Sequence, residues 1–219
     1  MTAAAMSRVI ARLHREAPRW NTTALMAISE STGRDPFRIL IACLLSLRTR
    51  DETTGPAAAR LFTLATTPAT LLALSVHQVE RAIYPVGFYR TKAVVLQRVC
   101  ADLLARFEGV VPSDLDMLLT LHGVGRKTAN LVVTFGFALP GICVDTHVHR
   151  ITNRLGFVRT RTPDATEMAL RRRLPRRHWI DLNELLVAFG QHVCHPTSPH
   201  CSTCPVAPAC ARIGVRRSR

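Results

Sequence analysis

The feature that most constrains the fold of this chain is a turn with two glycines between two segments of helical periodicity. The turn lies in the sequence LHGVGRKTAN, residues 121–130, and its glycines are Gly123 and Gly125. Glycine tolerates positive φ and carries no side chain, so such a turn can reverse the chain sharply and let its backbone approach another molecule. We therefore predict a helical hairpin in which the N–H groups that begin the second helix face outward.

The hairpin contains one of the few lysines of the chain. Of the 29 Lys+Arg residues only Lys92 and Lys127 are lysines, and Lys127 lies in the hairpin. Guanidinium stays protonated and cannot attack carbon, whereas a lysine amine can be a nucleophile. The alternative for Lys127 is a phosphate contact that an arginine could make equally well. A nucleotide-binding P-loop fits poorly, because that motif requires glycine directly before the lysine and Arg126 stands there.

Composition narrows the class of protein. With 219 residues and 47% hydrophobic content, the chain can form one sizeable core or two small ones. Its net charge of +14 favours a nucleic acid or an anionic membrane surface as partner, the alternative being a basic surface that is merely solvated. No stretch reaches the roughly 18 apolar residues of a membrane span, and the N-terminal segment lacks the apolar core of a secretory signal. We expect a soluble, cytoplasmic protein with no membrane partner.

Helical periodicity dominates the chain, and no alternating run is long enough to predict a strand. The predicted fold class is therefore all-α. The predicted helices cover roughly residues 7–17, 36–45, 55–64, 75–82, 91–107, 114–121, 126–137, 146–155, 164–174 and 179–194.

Cysteine usage indicates a metal centre. Three of the seven cysteines are isolated in apolar runs, and the other four are clustered with the spacing C-x6-C-x2-C-x5-C. An odd total with four clustered residues favours metal ligation in a reducing compartment over disulfides. Four thiolates suit either an iron–sulfur cluster or tetrahedral zinc, and the spacing alone leaves both open. The clustered residues are Cys194, Cys201, Cys204 and Cys210.

Two motifs together carry a resemblance to a known family. LHGVGRKTAN followed by VDTHVHRITNRLGF, residues 144–157, resembles the helix-hairpin-helix DNA glycosylase superfamily and, within it, endonuclease III. The resemblance covers nearly the whole chain, including LLSLRTRDETT (44–54), which we expect to form a helix, and the turn GFYRTKA (87–93). It implies two helical domains flanking a DNA-binding groove. The expected domains are a six-helix domain at 29–139, with the hairpin motif at about 113–137, and an iron–sulfur cluster domain at 1–28 plus 140–219.

The resemblance also implies catalytic residues and an activity. The lysine of GVGRKT is the nucleophile of the family and the aspartate of VDTH is its partner, which here are Lys127 and Asp145. The implied enzyme is a bifunctional DNA glycosylase and abasic-site lyase that removes oxidised pyrimidines in base-excision repair. Lys127 would form an imine with the sugar of a flipped nucleotide, and Asp145 would stabilise charge and relay protons. As an alternative, Asp145 caps the helix that follows it, and both roles can coexist.

Further implied features concern DNA and a cofactor. Arg48 and Phe88 match the positions that fill the hole left by the extruded nucleotide, although Phe88 could also be an ordinary core aromatic. The clustered cysteines match the [4Fe-4S] spacing of the family, so this cluster is the expected cofactor. The expected partner is double-stranded DNA with damaged bases or abasic sites, bound by a monomer. The other expected DNA contacts are Gly123, Gly125, Arg126, Thr128, His147 and Arg150.

The chain departs from the family pattern at several places. His122 stands where the hairpin usually carries proline, and Arg48 where glutamine is frequent, so the preferred lesion stays open. The loop 195–200 lacks the cations that typically contact the DNA backbone, and we expect a reduced contribution to affinity from it. The terminal sequence ARIGVRRSR is predicted to be mobile and to add charge without structure. Alternative functions are a monofunctional adenine-type glycosylase and an inactive iron–sulfur protein that binds DNA or senses redox state.

Overall fold

A computed structural model describes residues 1–20 and 23–219 of the chain. The described residues form helices and turns without any strand, which confirms the all-α prediction. By its internal contacts the chain divides into two units, Met1–Thr23 with Pro140–Arg219, and Ala24–Leu139. The predicted division into a six-helix domain at 29–139 and a cluster domain at 1–28 plus 140–219 stays a prediction. Among the helices of the described residues, none has the length and apolar character needed to cross a membrane.

The α-helices are named in chain order. They are α1 (Ala3–Glu16), α2 (Ala24–Ser31), α3 (Pro36–Ser46), α4 (Asp51–Leu64), α5 (Pro68–Leu72), α6 (Val76–Ile83), α7 (Tyr89–Phe107), α8 (Leu115–Leu119), α9 (Arg126–Leu131), α10 (Thr146–Arg154), α11 (Pro163–Arg173) and α12 (Leu182–His192). A π-helical turn, Val132–Gly136, directly follows α9.

Helix α3 forms the centre of the unit Ala24–Leu139. Its start is fixed by Asp35, whose Oδ1 accepts hydrogen bonds from the backbone N–H groups of Phe37 at 2.9 Å and Arg38 at 3.1 Å. All residues from 39 to 45 are buried, and a helix that is apolar on every side must be surrounded by other elements. It packs against α2, α4, α7, α9 and the π-helical turn, and it thereby supports the helix that begins at the hairpin.

Three details of the predicted helices were wrong. Helices α2 and α5 were not predicted, and the latter has only five residues, too few to show periodicity. The segment 44–54 is not one helix, because α3 ends at Ser46 and α4 begins at Asp51. Between them Arg48 has a φ of 53°, a left-handed conformation that interrupts a helix. The acidic residues Asp51 and Glu52 then favour a new helix start, since they lie at its positive end.

The unit formed by both ends of the chain has its own core. One face of α1 is buried through Met6, Val9, Ile10 and Leu13, at the spacing of an amphipathic helix. These side chains belong to one apolar cluster with residues of α10, α11 and α12. The N-terminal helix is therefore an integral part of this unit.

The prediction that the terminal sequence 211–219 is mobile is wrong. The backbone N–H of Ile213 donates to the carbonyl of Arg154 at 3.1 Å, and that of Arg219 donates to the carbonyl of Pro199 at 2.9 Å. The backbone N–H of Ser202 donates in turn to the carbonyl of Arg219 at 2.9 Å. These bonds hold an irregular segment at both of its ends, and periodicity cannot reveal such a segment.

Candidate functional site

The glycine hairpin connects α8 to α9 as predicted, and its two glycines have different roles. Gly123 has a φ of 74°, and a Cβ atom there would lie 2.8 Å from Cγ1 of Val95, so the fold itself requires glycine. Gly125 has a φ of −96°, and a Cβ atom there would meet none of the described atoms within 4 Å. Packing within the described part of the chain does not explain the second glycine, and its backbone is open to another molecule.

Lys127 lies in the first turn of α9 and is exposed. Its amine forms no hydrogen bond or ion pair with any residue in the described part of the chain. The positive charge of Lys127 influences the thiol of Cys43 on α3. Burial raises the pKa of that thiol to about 12, and Lys127 counteracts part of the increase. Lys127 is thus near enough to the central helix to affect Cys43, and it remains exposed.

The neighbours of Lys127 differ in accessibility. Gly123 and Gly125 are exposed, and Arg126 is half-buried. Thr128 is only 1% exposed, so in this conformation its side chain offers no surface to DNA. The predicted DNA contact of Thr128 is therefore not supported by its position, and the contacts of the other three stay predictions.

Lys92 has the opposite environment. It is 8% exposed, and its amine donates to the carbonyls of Leu45 and Leu47, each at 2.6 Å, and to the hydroxyl of Thr49 at 3.0 Å. Burial lowers the pKa of Lys92 to about 8. Because the last carbonyls of a helix lack intrahelical partners, Lys92 caps α3 and fixes the turn that follows it.

Arg48 and Phe88 lie side by side. Arg48 occupies the turn after α3, Phe88 directly precedes α7, and the guanidinium carbon lies 5.8 Å from the ring centroid. Phe88 is 63% exposed, so the alternative of an ordinary core aromatic is wrong. The backbone N–H of Gly87 donates to the Thr49 hydroxyl at 3.2 Å, and a Cβ atom on Gly87 would lie 2.7 Å from the carbonyl oxygen of Arg48. Two turns in close contact thus present a cation and an aromatic ring together.

Asp145 has one engaged and one available carboxylate oxygen. Its Oδ1 accepts hydrogen bonds from the backbone N–H groups of His147 and Val148, both at 2.9 Å, which confirms the role as N-cap of α10. Its Oδ2 makes no hydrogen bond with a described residue. The cap fixes the carboxylate in place and leaves the second oxygen for proton transfer or charge stabilisation.

His147 and Arg150 are directed into their own unit. Nη2 of Arg150 donates to the carbonyl of Cys194 at 2.8 Å and lies 3.1 Å from Nδ1 of His147. A Cβ atom on Gly190 of α12 would lie 2.2 Å from that same Nδ1. Both residues therefore connect α10 to α12 in this conformation, and their predicted contacts with DNA stay predictions.

The four clustered cysteines line one cavity whose other walls are mainly apolar, among them Ile151, Leu155 and Phe189. Burial raises the pKa of the Cys204 and Cys210 thiols, and the neighbouring cysteines act in the same direction. No group of three or more His, Cys, Asp or Glu in the described residues is arranged for a single metal ion.

Hydrogen-bond donors and one unpredicted arginine support this cavity. The backbone N–H of Arg212 donates to Sγ of Cys210 at 3.4 Å, and Nη1 of Arg154 donates to Sγ of Cys194 at 3.4 Å. Arg154 also donates to the carbonyls of His195 at 2.6 Å and Pro196 at 2.5 Å. The sequence feature that could have identified Arg154 is its position four residues after Arg150, which places both arginines on the same face of α10.

Comparison with known proteins places the chain in a family. The sequence model of the HhH-GPD superfamily of base excision DNA repair proteins matches residues 41–176. Endonuclease III of Thermotoga maritima is 46% identical over 170 residues, which cover 78% of this chain and 80% of that protein. The chain belongs to the endonuclease III family. Endonuclease III homolog 2, chloroplastic, of Arabidopsis thaliana is 42% identical over 183 residues, covering 80% of this chain and 47% of that protein, so the chain spans about half its length.

Solved structures of endonuclease III extend the similarity over nearly the whole chain. A trapped covalent intermediate of endonuclease III with DNA matches with a TM-score of 0.84 and 33% identity, covering 97% of each chain. The superfamily match at 41–176 includes Lys127 and Asp145 but ends before the clustered cysteines. The structural match, at 97% of the chain, includes most of the cysteine-bearing segment as well.

Proposed function

We propose that this member of the endonuclease III family is a bifunctional DNA glycosylase and abasic-site lyase that removes oxidised pyrimidines from double-stranded DNA in base-excision repair. The observation that carries the proposal is the exposed amine of Lys127, which has no hydrogen-bond or ion-pair partner among the described residues and lies directly after the open turn at Gly125. The covalent complex of the related endonuclease III with DNA supports it. We place this activity in the cytoplasm, on chromosomal DNA.

In the proposed reaction the neutral amine of Lys127 attacks C1′ of a flipped nucleotide, and the glycosidic bond breaks with its electron pair going to the base. Ring opening gives an imine between Lys127 and the sugar. Removal of a proton from C2′ then expels the 3′ phosphate by β-elimination, and water hydrolyses the imine to regenerate the amine. Oδ2 of Asp145 is the acid/base group that we assign to these proton transfers, while Oδ1 keeps the carboxylate oriented.

We assign Arg48 and Phe88 to the space that the flipped nucleotide leaves. An exposed ring beside a guanidinium can stack between base pairs while the cation bonds to the orphaned base. Of the hairpin, we assign the backbone at Gly123 and Gly125 and the side chain of Arg126 to the DNA backbone, because phosphate contacts position a protein without reading sequence.

We infer that Cys194, Cys201, Cys204 and Cys210 hold a [4Fe-4S] cluster. Four sulfurs around one cavity with apolar walls fit a group that each thiolate ligates at a separate corner. The N–H donors of Arg212 and Arg154 suit thiolate sulfur, which accepts hydrogen bonds when it ligates iron. When bound, the cluster crosslinks the loops of this unit, and our mechanism assigns it no chemical step. Equal amounts of iron and acid-labile sulfide near four per chain would support this, and one zinc per chain would contradict it.

The decisive experiment for the activity is borohydride trapping on a duplex with a single abasic site. A covalent protein–DNA adduct together with strand cleavage is the expected result, because only an imine can be reduced to a stable amine bond. A monofunctional glycosylase would release base without an adduct, and an inactive DNA-binding protein would bind the duplex and do neither. A panel of duplexes with one defined lesion each then identifies the preferred base.

A further inference from the structure

The segment Ala211–Arg219, which we name the terminal arginine segment, carries four arginines among its nine residues. The chain contains no Asp or Glu after Glu184, so this charge has no acidic neighbour along the sequence. Arg216 and Arg217 are exposed, and neither guanidinium has a hydrogen bond or ion pair with a described residue. The arginines are Arg212, Arg216, Arg217 and Arg219.

The terminal arginine segment is attached to the loop 195–200, which has no Lys or Arg of its own. The backbone bond from Arg219 to Pro199 holds one end at 2.9 Å, and Nε of Arg219 lies 3.4 Å from the hydroxyl of Ser198. The bond from Ile213 to the carbonyl of Arg154 holds the other end at 3.1 Å. The backbone that carries Arg216 and Arg217 is therefore held at both ends, which lowers the entropy that the segment loses when it binds a ligand.

A cleft separates this loop from the terminal arginine segment. Its lining includes Arg216 and Arg217 of the segment and Thr197 and Ser198 of the loop. Two arginines and two hydroxyl-bearing residues around one cleft supply donors of the kind that bind the oxygens of a phosphate group. No acidic residue lines the cleft, so an anionic ligand meets no like charge there.

We propose that this cleft is a binding site for the phosphodiester backbone of DNA, in which the terminal arginine segment supplies the cations that the adjacent loop lacks. The site deepens the proposed function and rests on it for the identity of the polyanion. Since phosphate contacts carry no sequence information, the site increases affinity for damaged and undamaged duplexes alike. In this proposal the loop and the segment act together, so the reduced contribution expected of loop 195–200 from its own sequence is offset by the arginines of the segment.

The test compares Arg216→Gln/Arg217→Gln with the control pair Arg8→Gln/Arg15→Gln. Both pairs remove two positive charges, and Arg8 and Arg15 are exposed on α1 with no side-chain hydrogen bond or ion pair to a described residue. Equilibrium binding to an undamaged duplex and to one with an uncleavable abasic analogue is measured over a series of salt concentrations. Each lost phosphate contact lowers the magnitude of the slope of log K against log salt concentration by about 0.9. We therefore expect this magnitude to fall by about 1.8 in the cleft variant and to stay unchanged in the control.

Equal slopes for the cleft variant and wild type would overturn the inference, and so would an equal fall in both pairs, which would show that only net charge matters. A fall confined to the abasic duplex would also contradict it, because backbone contacts do not recognise lesions. Borohydride trapping at low salt and saturating protein is measured in parallel and should be retained. If the wild type binds DNA with the expected slopes but never forms an adduct, the proposed lyase fails and the cleft stands. If the wild type binds neither duplex, both fail.

Discussion

The two lysines of this chain occupy opposite environments within one helical unit. Lys92 is buried on α7 with three oxygen acceptors within 3.0 Å, and its pKa is lowered by burial to about 8. Lys127 is exposed on α9 and has no hydrogen-bond partner among the described residues. A side chain that satisfies the fold has its donors occupied, whereas one that acts on a ligand keeps them available. The comparison therefore assigns Lys92 to structure and supports the proposed role of Lys127 as the nucleophile.

The substitution Lys127→Gln is expected to have the largest effect, a complete loss of catalysis. We expect it to fold and to bind abasic-site DNA while forming no borohydride adduct and cleaving no strand, because only the nucleophilic amine is removed. Lys92→Met is the matched control and should still form the adduct. The measurement is gel-resolved adduct at saturating protein. Trapping by Lys127→Gln that disappears in Lys92→Met would reverse the comparison, since Lys92 is the only other lysine.

A smaller loss is expected for Asp145→Asn, the proposed partner of Lys127. Asparagine keeps an oxygen for the N-cap of α10, so the fold should survive, while base excision under single turnover should slow by roughly 100- to 10,000-fold. The control is Asp35→Asn, because Asp35 caps α3 through the same oxygen and is assigned no chemistry. If both variants keep the wild-type rate, Asp145 serves only as a helix cap.

A smaller effect is expected on the stability of the variant Lys92→Met, which tests the structural role of Lys92. Lys92→Met leaves the carbonyls of Leu45 and Leu47 and the hydroxyl of Thr49 without their buried donor, at about 1–3 kcal/mol for each unsatisfied group and less where water enters. We expect the free energy of unfolding to fall by about 2–4 kcal/mol in urea titrations. The control Arg98→Met changes an exposed residue of the same helix and should stay within about 0.5 kcal/mol of wild type. Equal stability of both variants would mean that the Lys92 bonds contribute nothing.

The sequence predicted one side of this comparison far better than the other. Lys127 and Asp145 lie in contiguous motifs, and their positions at the starts of α9 and α10 follow from glycines and a helix cap that can be read locally. The acceptors of Lys92 are more than 40 positions away along the chain, so no local pattern could reveal them. The contact of Arg48 with Phe88 has the same origin, because it depends on two turns that meet only in the folded unit. The attachment of Arg219 to Pro199 likewise joins two irregular segments that have no periodicity to detect.

The smallest effect is the pH dependence that Lys92 contributes to stability. Its pKa is about 8 in the folded protein and 10.5 ordinarily, so between these values the unfolded chain binds more protons than the folded one. Stability linked to Lys92 therefore rises with pH from about 8 to 10.5 and is lost as pH falls through 8. The rise cannot exceed about 1.4 kcal/mol per pH unit, and the polar surroundings of the amine should limit the total to about 1–2 kcal/mol.

Urea titrations of wild type and Lys92→Met between pH 7 and 10.5 isolate this contribution, because the variant lacks only the lysine titration and all other groups cancel in the difference. The stability advantage of the wild type should grow with pH across this range. An advantage that is constant would mean that the three acceptors favour the ammonium form strongly enough to offset its burial. Lys92 would then be a permanently charged cap of α3, and its contrast with Lys127 would rest on hydrogen bonding alone.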